Sequence, residues 1–348
     1  MARLMRPAIL VTLMVLPGMA RGQMLAKEGK SDYAIVLPAA PTDVEKTAAR
    51  ELQEHLAKVT GATLPILSED KVSRESPQIV LGAARRVQEL APDLNVASLG
   101  HDGVVLRSVG KSLILTGRPP RGTLYAVFTL LEDCVGCRWW TSTESFLPSK
   151  PTLDIPAQNV VHAPPLRYRE AFYRDTFSSP FASRLKLNGH HHAVPPEYGG
   201  HIRFAGFVHT FYPLLPPEKH FAQHPEWYSE INGKRTTEHA QLCLTNDEMR
   251  KELVRSALAL LRRTPEAGLI SVSQNDWHGR CQCAKCKGVE EEEGSPSGLL
   301  VRFVNAVAEE IEKEFPDVLV ETLAYQYTRE PPRHVKPRNN VVIRLCSI

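Results

Sequence analysis

The sequence predicts an α/β protein in two parts: an N-terminal α+β sandwich domain followed by an incomplete TIM-type (β/α) barrel. Three observations carry this expectation. The first part mixes short apolar strands with helices and includes a tight hairpin, so antiparallel pairs stand beside helical crossovers. The second part repeats strand then helix, the rhythm of a parallel sheet. The chain has 348 residues, 43% hydrophobic and 23% charged, enough for two real cores and outside the range of disordered, collagen-like or coiled-coil chains.

The elements follow in order. Arg3 and Arg6, an apolar run from Ala8 to Leu16, and the small residues Gly18, Ala20 and Gly22 read as a secretory signal peptide over 1–22, cleaved near Ala20 or Gly22. The apolar run is well short of the roughly 20 residues that cross a bilayer, so removal is expected rather than anchoring. The mature protein is expected to be secreted or periplasmic, with no membrane span.

The first domain is expected over 24–158. Tyr33 to Leu37 is a strand; Thr42 and Glu45 form a capping box, and Val44, Ala48, Leu52, Leu56 and Val59 keep helical spacing until Gly61. Strands follow at Thr63 to Leu67, Gln78 to Leu81, Gly103 to Val109 and Ser112 to Thr116, the last two joined across Gly110-Lys111. A helix from Arg121 buries Leu124, Val127, Phe128 and Leu131 and closes near Gly136.

A proline-rich linker from Pro148 to Pro165 leads to the barrel, expected over 159–348. Its strands are Leu166 to Tyr173, Arg203 to Thr210, Gln241 to Leu244, Leu269 to Gln274, Val318 to Tyr325 and Val341 to Ser347. One helix is capped by Thr245, with Glu248 as box partner and Leu253, Ala257 and Leu260 inward. Another runs from Pro296 to Glu314 with Leu300, Val304, Val307 and Ile311 inward. Glu290 to Glu293 is expected as a solvated loop. These strands fall short of the eight that close a barrel, and Val341 to Ile348 reads as a buried strand without a turn after it. The expectation is a chain cut short within its barrel.

Charge narrows the function classes. Forty-two basic residues against 39 acidic ones leave +3, and they are scattered, so no nucleic-acid partner is expected. Dinucleotide and nucleotide loops, the Gly-x-Ser-x-Gly elbow and His-Glu-x-x-His are absent from the sequence.

The strongest chemical signal is Ser271-Val272-Ser273-Gln274-Asn275-Asp276-Trp277-His278. A strand ending in an amide, a carboxylate and an aromatic ring presents them at the C-terminal mouth of a barrel, where active sites of that fold lie. Asp276 is the candidate acid or base, Asn275 a holder of hydroxyls, and Trp277 a sugar platform; capping by Asn275-Asp276 and core packing of Trp277 are the plainer alternatives. Arg174, Asp175, His209 and Tyr325 with Tyr327 complete a polar and aromatic rim suited to carbohydrate. Glu321 reads as structural, and His190-His191-His192 as a polar loop.

Cys281-x-Cys283-x₂-Cys286 fits two readings equally. With His278 or Cys243 as a fourth ligand the thiolates close a structural zinc site, or they form a disulfide. Cys134-x₂-Cys137 reads as buried structural cysteines. No cofactor is required by the chemistry, a structural zinc aside.

Pro120-Arg121-Gly122-Thr123-Leu124-Tyr125-Ala126-Val127 with Glu132 to Trp140 resembles the N-terminal domain of bacterial α-glucuronidases and β-hexosaminidases. His224 to Tyr228, Asn232 to Arg235, Gln241 to Asn246, Ser273 to Asp276 and Cys281 to Cys286 resemble the bacterial domain-of-unknown-function family 4838, which is glycosidase-like. The resemblance implies a TIM-like barrel acting on glycans outside the cytoplasm. Asn275-Asp276 is similar to the Asn-Glu pair of many barrel glycosidases, with Asp replacing Glu, and a second carboxylate is expected beyond Ile348. The activity implied is glycoside hydrolysis of a poly- or oligosaccharide. A non-catalytic glycan-binding protein on the same scaffold is the alternative, and a thiol- or zinc-dependent enzyme at Cys281, Cys283 and Cys286 a third.

Overall fold

A computed structural model describes residues 22–177 and 180–346. The expected leader, apart from Gly22, lies outside the described residues, as do Ser347 and Ile348. The chain divides into two compact units, one ending at His201 and the other beginning at Ile202. Both mix helix with sheet, as expected of the α/β class.

In the first unit β1 (Gln23–Ala26) is followed by β2 (Ala34–Leu37), α1 (Asp43–Thr60), β3 (Ile66–Ser68), β4 (Gln78–Leu81) and α2 (Arg85–Leu90). Next come β5 (Val104–Val109), β6 (Ser112–Gly117), α3 (Gly122–Thr129), β7 (Leu153–Ile155) and β8 (Asn159–His162). A 6-stranded sheet has the order β8-β5-β6-β4-β2-β3, parallel from β6 to β3 and antiparallel on the β5 side. The two-residue period of the strands sends Ile35, Ile79 and Leu113 to one core with α1 and α3, and Val36, Val80 and Ile114 to another with Val87 of α2. That is the expected sandwich. The capping box is formed: Thr42 Oγ1 accepts from Glu45 N, and Glu45 Oε2 accepts from Thr42 N at 2.8 Å. Gly61 ends α1 at φ 82°, a left-handed turn glycine takes without a Cβ clash.

The segment after β8 does not form its expected strand. Leu166 to Tyr173 has no regular secondary structure and belongs to the first unit. Its alternating polar residues dock rather than pair: Arg169 Nη2 donates to Asp102 Oδ2 at 2.7 Å, and Arg169 N to Asn188 Oδ1 at 2.8 Å. Asp102 also accepts from Arg121 Nε at 2.8 Å and Asn188 Nδ2 at 2.9 Å. A carboxylate with 1% of its side chain exposed is thus held by two guanidinium groups and an amide.

The second unit contains β9 (Arg203–Ala205), α4 (Asp247–Arg263), β10 (Ala267–Ser271), α5 (Ala284–Glu293), α6 (Pro296–Glu314), β11 (Leu319–Ala324) and β12 (Val341–Leu345). The four strands are all parallel, in the order β9-β10-β11-β12. Ile270, Val320 and Val341 pack against Met249, Leu253, Ala257 and Leu261 of α4 and Leu300, Val304, Val307 and Ile311 of α6. The sheet is open, and no closed barrel is found among the described residues.

Three local expectations are corrected. Gln241 to Leu244 is an irregular segment with a single bridge, Leu242 to Tyr228, beside the Ala240–Gly279 bridge, and not a strand. The cap of α4 is Asn246, whose side chain accepts from Met249 N at 2.9 Å, because the helix starts one residue after the site expected for Thr245. Glu290 to Glu293 is the last turn of α5 and not a loop. Glu293 is fully buried, accepting from His334 N at 3.0 Å, Val335 N at 3.1 Å and Arg302 Nε at 2.7 Å.

Candidate functional site

The C-terminal ends of the parallel strands bring several predicted residues together. After β10 the chain runs through Gln274, Asn275 and Asp276; after β11 it runs through Tyr325 and Gln326. Gln326 Nε2 donates to Asp276 Oδ1 at 3.2 Å, which joins the two strand ends. Asp276 is exposed. After β9, His209 Nδ1 lies 2.8 Å from the carbonyl of Gln274, which can only accept, so Nε2 is the acceptor of the neutral ring. The ring stands 5.9 Å from that of Tyr325.

Trp277 is 37% exposed. It packs beside Tyr212 at 5.8 Å and edge-on to His239 at 5.6 Å. Burial raises the Tyr212 hydroxyl above its usual value, so it stays protonated and donates to the carbonyl of Thr237 at 3.1 Å.

Asn275 has a different place from the one the sequence suggested. It is buried; its Nδ2 donates to Ala240 O at 2.9 Å and its Oδ1 accepts from Tyr212 N at 3.2 Å. Its amide thus faces the protein and orients the turn that presents Asp276. Gln241 completes the latch: Oε1 accepts from Asn275 N at 2.8 Å, while Nε2 donates to Asn275 O at 2.9 Å and Trp277 O at 2.6 Å.

Arg174 and Asp175 are not at a strand end, because the strand that would have carried them does not form. Asp175 Oδ2 accepts from Ser142 N at 2.8 Å within the first unit. Glu321 is structural: with 1% of its side chain exposed, it accepts from Ser271 Oγ at 2.6 Å and Arg344 Nε at 2.6 Å. His190, His191 and His192 do not converge. The His192 ring is buried and its Nδ1 lies 2.7 Å from the Thr176 carbonyl.

Sequence reasoning missed Gln241, Gln326, Tyr212 and His239. One signal follows from backbone geometry alone. Of the eight non-glycine residues with positive φ among the described residues, three touch the site: His209 (φ 52°), His239 (φ 46°) and Gln326 (φ 51°), while Glu28, Asp102 and Lys186 lie in the first unit. Such conformations cost of order 1–3 kcal/mol each and concentrate where a site over-determines the backbone.

Beside this site Cys243, Cys281, Cys283 and Cys286 bring their sulfurs within 4.8 Å of one another. Cys243, not the exposed His278, is the fourth member. The thiols of Cys281 and Cys286 donate to Cys243 and hold it far below its ordinary value. The same contact pushes Cys281 up to about 12 and raises Cys286 too. Cys134 and Cys137 lie in the first unit, and burial pushes the Cys137 thiol up to about 11, an inert structural cysteine as expected.

Residues 139–348 match the family described as Domain of unknown function (DUF4838), and residues 24–130 match Glycosyl hydrolase family 67 N-terminus. The chain belongs to the first of these families, which spans more than half of it. No protein of curated function matches the sequence. A solved family GH115 4-O-methyl-α-glucuronidase with specificity for decorated arabinogalactans shares 15% identity at a TM-score of 0.46, over 85% of this chain and 43% of that one. The chain thus spans less than half of that enzyme's length. The GH20 β-N-acetylhexosaminidase from Streptomyces coelicolor shares 13% identity at a TM-score of 0.44, over 94% of this chain and 67% of that one. The β-N-acetylhexosaminidase from Bacteroides fragilis shares 13% at 0.42, over 94% and 68%.

Proposed function

We propose that this member of the family is an exported glycoside hydrolase that cleaves O-glycosidic bonds of a poly- or oligosaccharide, with Asp276 as acid or base. The observation that carries the reading is the exposed Asp276 carboxylate at the end of a parallel strand, tied to Gln326 and flanked by Trp277. A carboxylate there protonates a leaving oxygen or activates a water, and the indole packs on the C–H face of a sugar ring. His209 and Tyr325 take hydroxyls, and Asn275 acts by positioning. The four-stranded sheet is part of a TIM-type barrel in this reading, which fits its helices on one face and the polar Ser271, Glu321 and Arg344 on the other. The match of residues 24–130 to a glycosyl hydrolase N-terminus supports the same substrate class.

The test is Asp276→Asn in the purified protein, assayed against a panel of uronic acid and N-acetylhexosamine oligosaccharides. Hydrolysis falls by about 100-fold or more, the range of a lost acid–base group, while calorimetric sugar binding persists. Unchanged hydrolysis by the variant defeats the assignment. The second reading, glycan binding without turnover, draws on Glu321, whose carboxylate is occupied by Ser271 and Arg344 instead of facing the site. It predicts saturable binding and no product from either protein.

A further inference from the structure

We propose that Cys243, Cys281, Cys283 and Cys286 bind one zinc ion in a closed tetrahedral site, and that the ion anchors the loop presenting Asn275, Asp276 and Trp277. The spacing comes first. Zinc–sulfur bonds of about 2.3 Å in tetrahedral array set sulfurs about 3.8 Å apart. Cys243 Sγ lies 3.8 Å from Cys283 Sγ and 3.8 Å from Cys286 Sγ, and all four sulfurs fall within 4.8 Å of one another. A disulfide would need two of them at about 2.05 Å.

The surroundings can answer the negative charge of metal-bound thiolates. Cys283 caps the N-terminus of α5 and Cys286 lies in its first turn, where the helix dipole stabilises negative charge. Glu230 N donates to Cys281 Sγ at 3.3 Å, and Arg235 Nη1 lies 3.6 Å from the same sulfur. Thr245 Oγ1 is 3.2 Å from Cys286 Sγ. Four thiolates around a divalent ion leave two negative charges, and this shell of donors answers them. Cys243, Cys281 and Cys286 are buried, and Leu299 with the partly buried Leu244 and Val289 packs over them. All four positions are thiols, with no vacant one for water or substrate, so the site is structural and not catalytic. Zinc is the redox-inert choice for such a set, whereas iron is the other metal that all-sulfur tetrahedra take.

The ion has a structural object. Cys243 lies two residues after Gln241, whose amide holds Asn275 and Trp277. Cys281 follows the same loop on its other side, and Gln241 N donates to Gly279 O at 3.0 Å. Bridging Cys243 to Cys281, Cys283 and Cys286 therefore closes the loop from both flanks. Metal binding stands whether or not the protein hydrolyses glycosides; only the identity of the anchored loop as a substrate site rests on that reading.

The experiment is elemental analysis of the protein purified without chelator, with cobalt exchange and thiol titration in denaturant. One zinc per chain is expected, with the intense thiolate-to-metal absorption of tetrahedral cobalt after exchange. Cys283→Ser, the half-buried ligand, is expected to lose the ion, whereas Cys346→Ser keeps it. Chelation is expected to lower the melting temperature and red-shift Trp277 emission, both reversed by zinc. Wild-type protein that holds no zinc, that holds iron instead, or that yields a disulfide among the four cysteines overturns the proposal. So does zinc retained by Cys283→Ser with an unchanged cobalt spectrum. None of these readouts depends on hydrolysis, so failure of the glycosidase reading leaves them intact.

Discussion

In the first unit Ile35, Leu52, Leu113 and Phe128 meet between a sheet and two helices, fully buried and joined by contact alone. At the strand ends of the second unit the chain is held instead by amides and sulfurs: Gln241 on Asn275, Gln326 on Asp276, and four cysteines from two separate segments. The contrast teaches where precision comes from. Apolar burial is non-directional and tolerates any side chain of similar size, so it builds a scaffold. A hydrogen bond fixes a direction as well as a distance, so it can aim a carboxylate.

The first unit also holds buried polar clusters, and breaking the one at Asp102 should give the largest loss. Asp102→Ala leaves Arg121 and Arg169 buried without their carboxylate, a cost of about 3–5 kcal/mol, read as a fall in the urea midpoint of unfolding. A loss no larger than that of a surface substitution would show that the hub does not hold residues 163–201 to the unit. Gln241→Ala comes next. It removes the partners of Asn275 N, Asn275 O and Trp277 O at a cost of about 1–3 kcal/mol, with a red shift of Trp277 emission. If stability falls and the emission stays fixed, the amide is not what orients the turn.

Thr42→Ala sharpens the scaffold side of the contrast. It deletes the capping oxygen of α1 and costs about 1 kcal/mol, while Thr42→Ser should cost little. Circular dichroism melts of the two variants check the difference. The smallest effect is a pH dependence. Burial lowers the pKa of His55 below its ordinary value, and its neutral ring is engaged at both nitrogens, with Glu51 O at 2.7 Å from Nδ1 and Trp139 Nε1 at 3.4 Å from Nε2. The unfolded chain takes up this proton first. The contribution is complete above about pH 6.5 and is lost as pH falls below that value. Urea midpoints measured from about pH 7 to about pH 5 should slope less in His55→Gln than in the parent protein.

Local patterns were legible wherever neighbours in sequence are neighbours in space. Thr42 and Glu45 announced the start of α1, and Leu300, Val304, Val307 and Ile311 announced the inward stripe of α6. Leu166 to Tyr173 misled because alternation is also what a segment docked through alternate polar residues shows, and the partner that decided it, Asp102, lies 67 residues from Arg169. Glu290 to Glu293 misled because a charge run reads as solvated, yet Arg302 and two backbone amides gather around Glu293. Asp276, Trp277, His209 and Tyr325 were legible as residue types at strand ends. Gln241 was not, because an amide beside an apolar run carries no signal until its partner 34 residues away is known.

By itself the sequence determined the α/β class, the family, the chief helices with their caps, and which strand end would carry the carboxylate. These depend on hydrophobic period and capping, which act over a few residues. Only the tertiary structure decided that Asn275 latches while Asp276 faces outward, that Cys243 is the fourth member of the sulfur cluster rather than His278, and that Glu321 is occupied by Arg344. Each of those is a directional contact between residues far apart in the chain, and direction exists only once the strands have been set side by side.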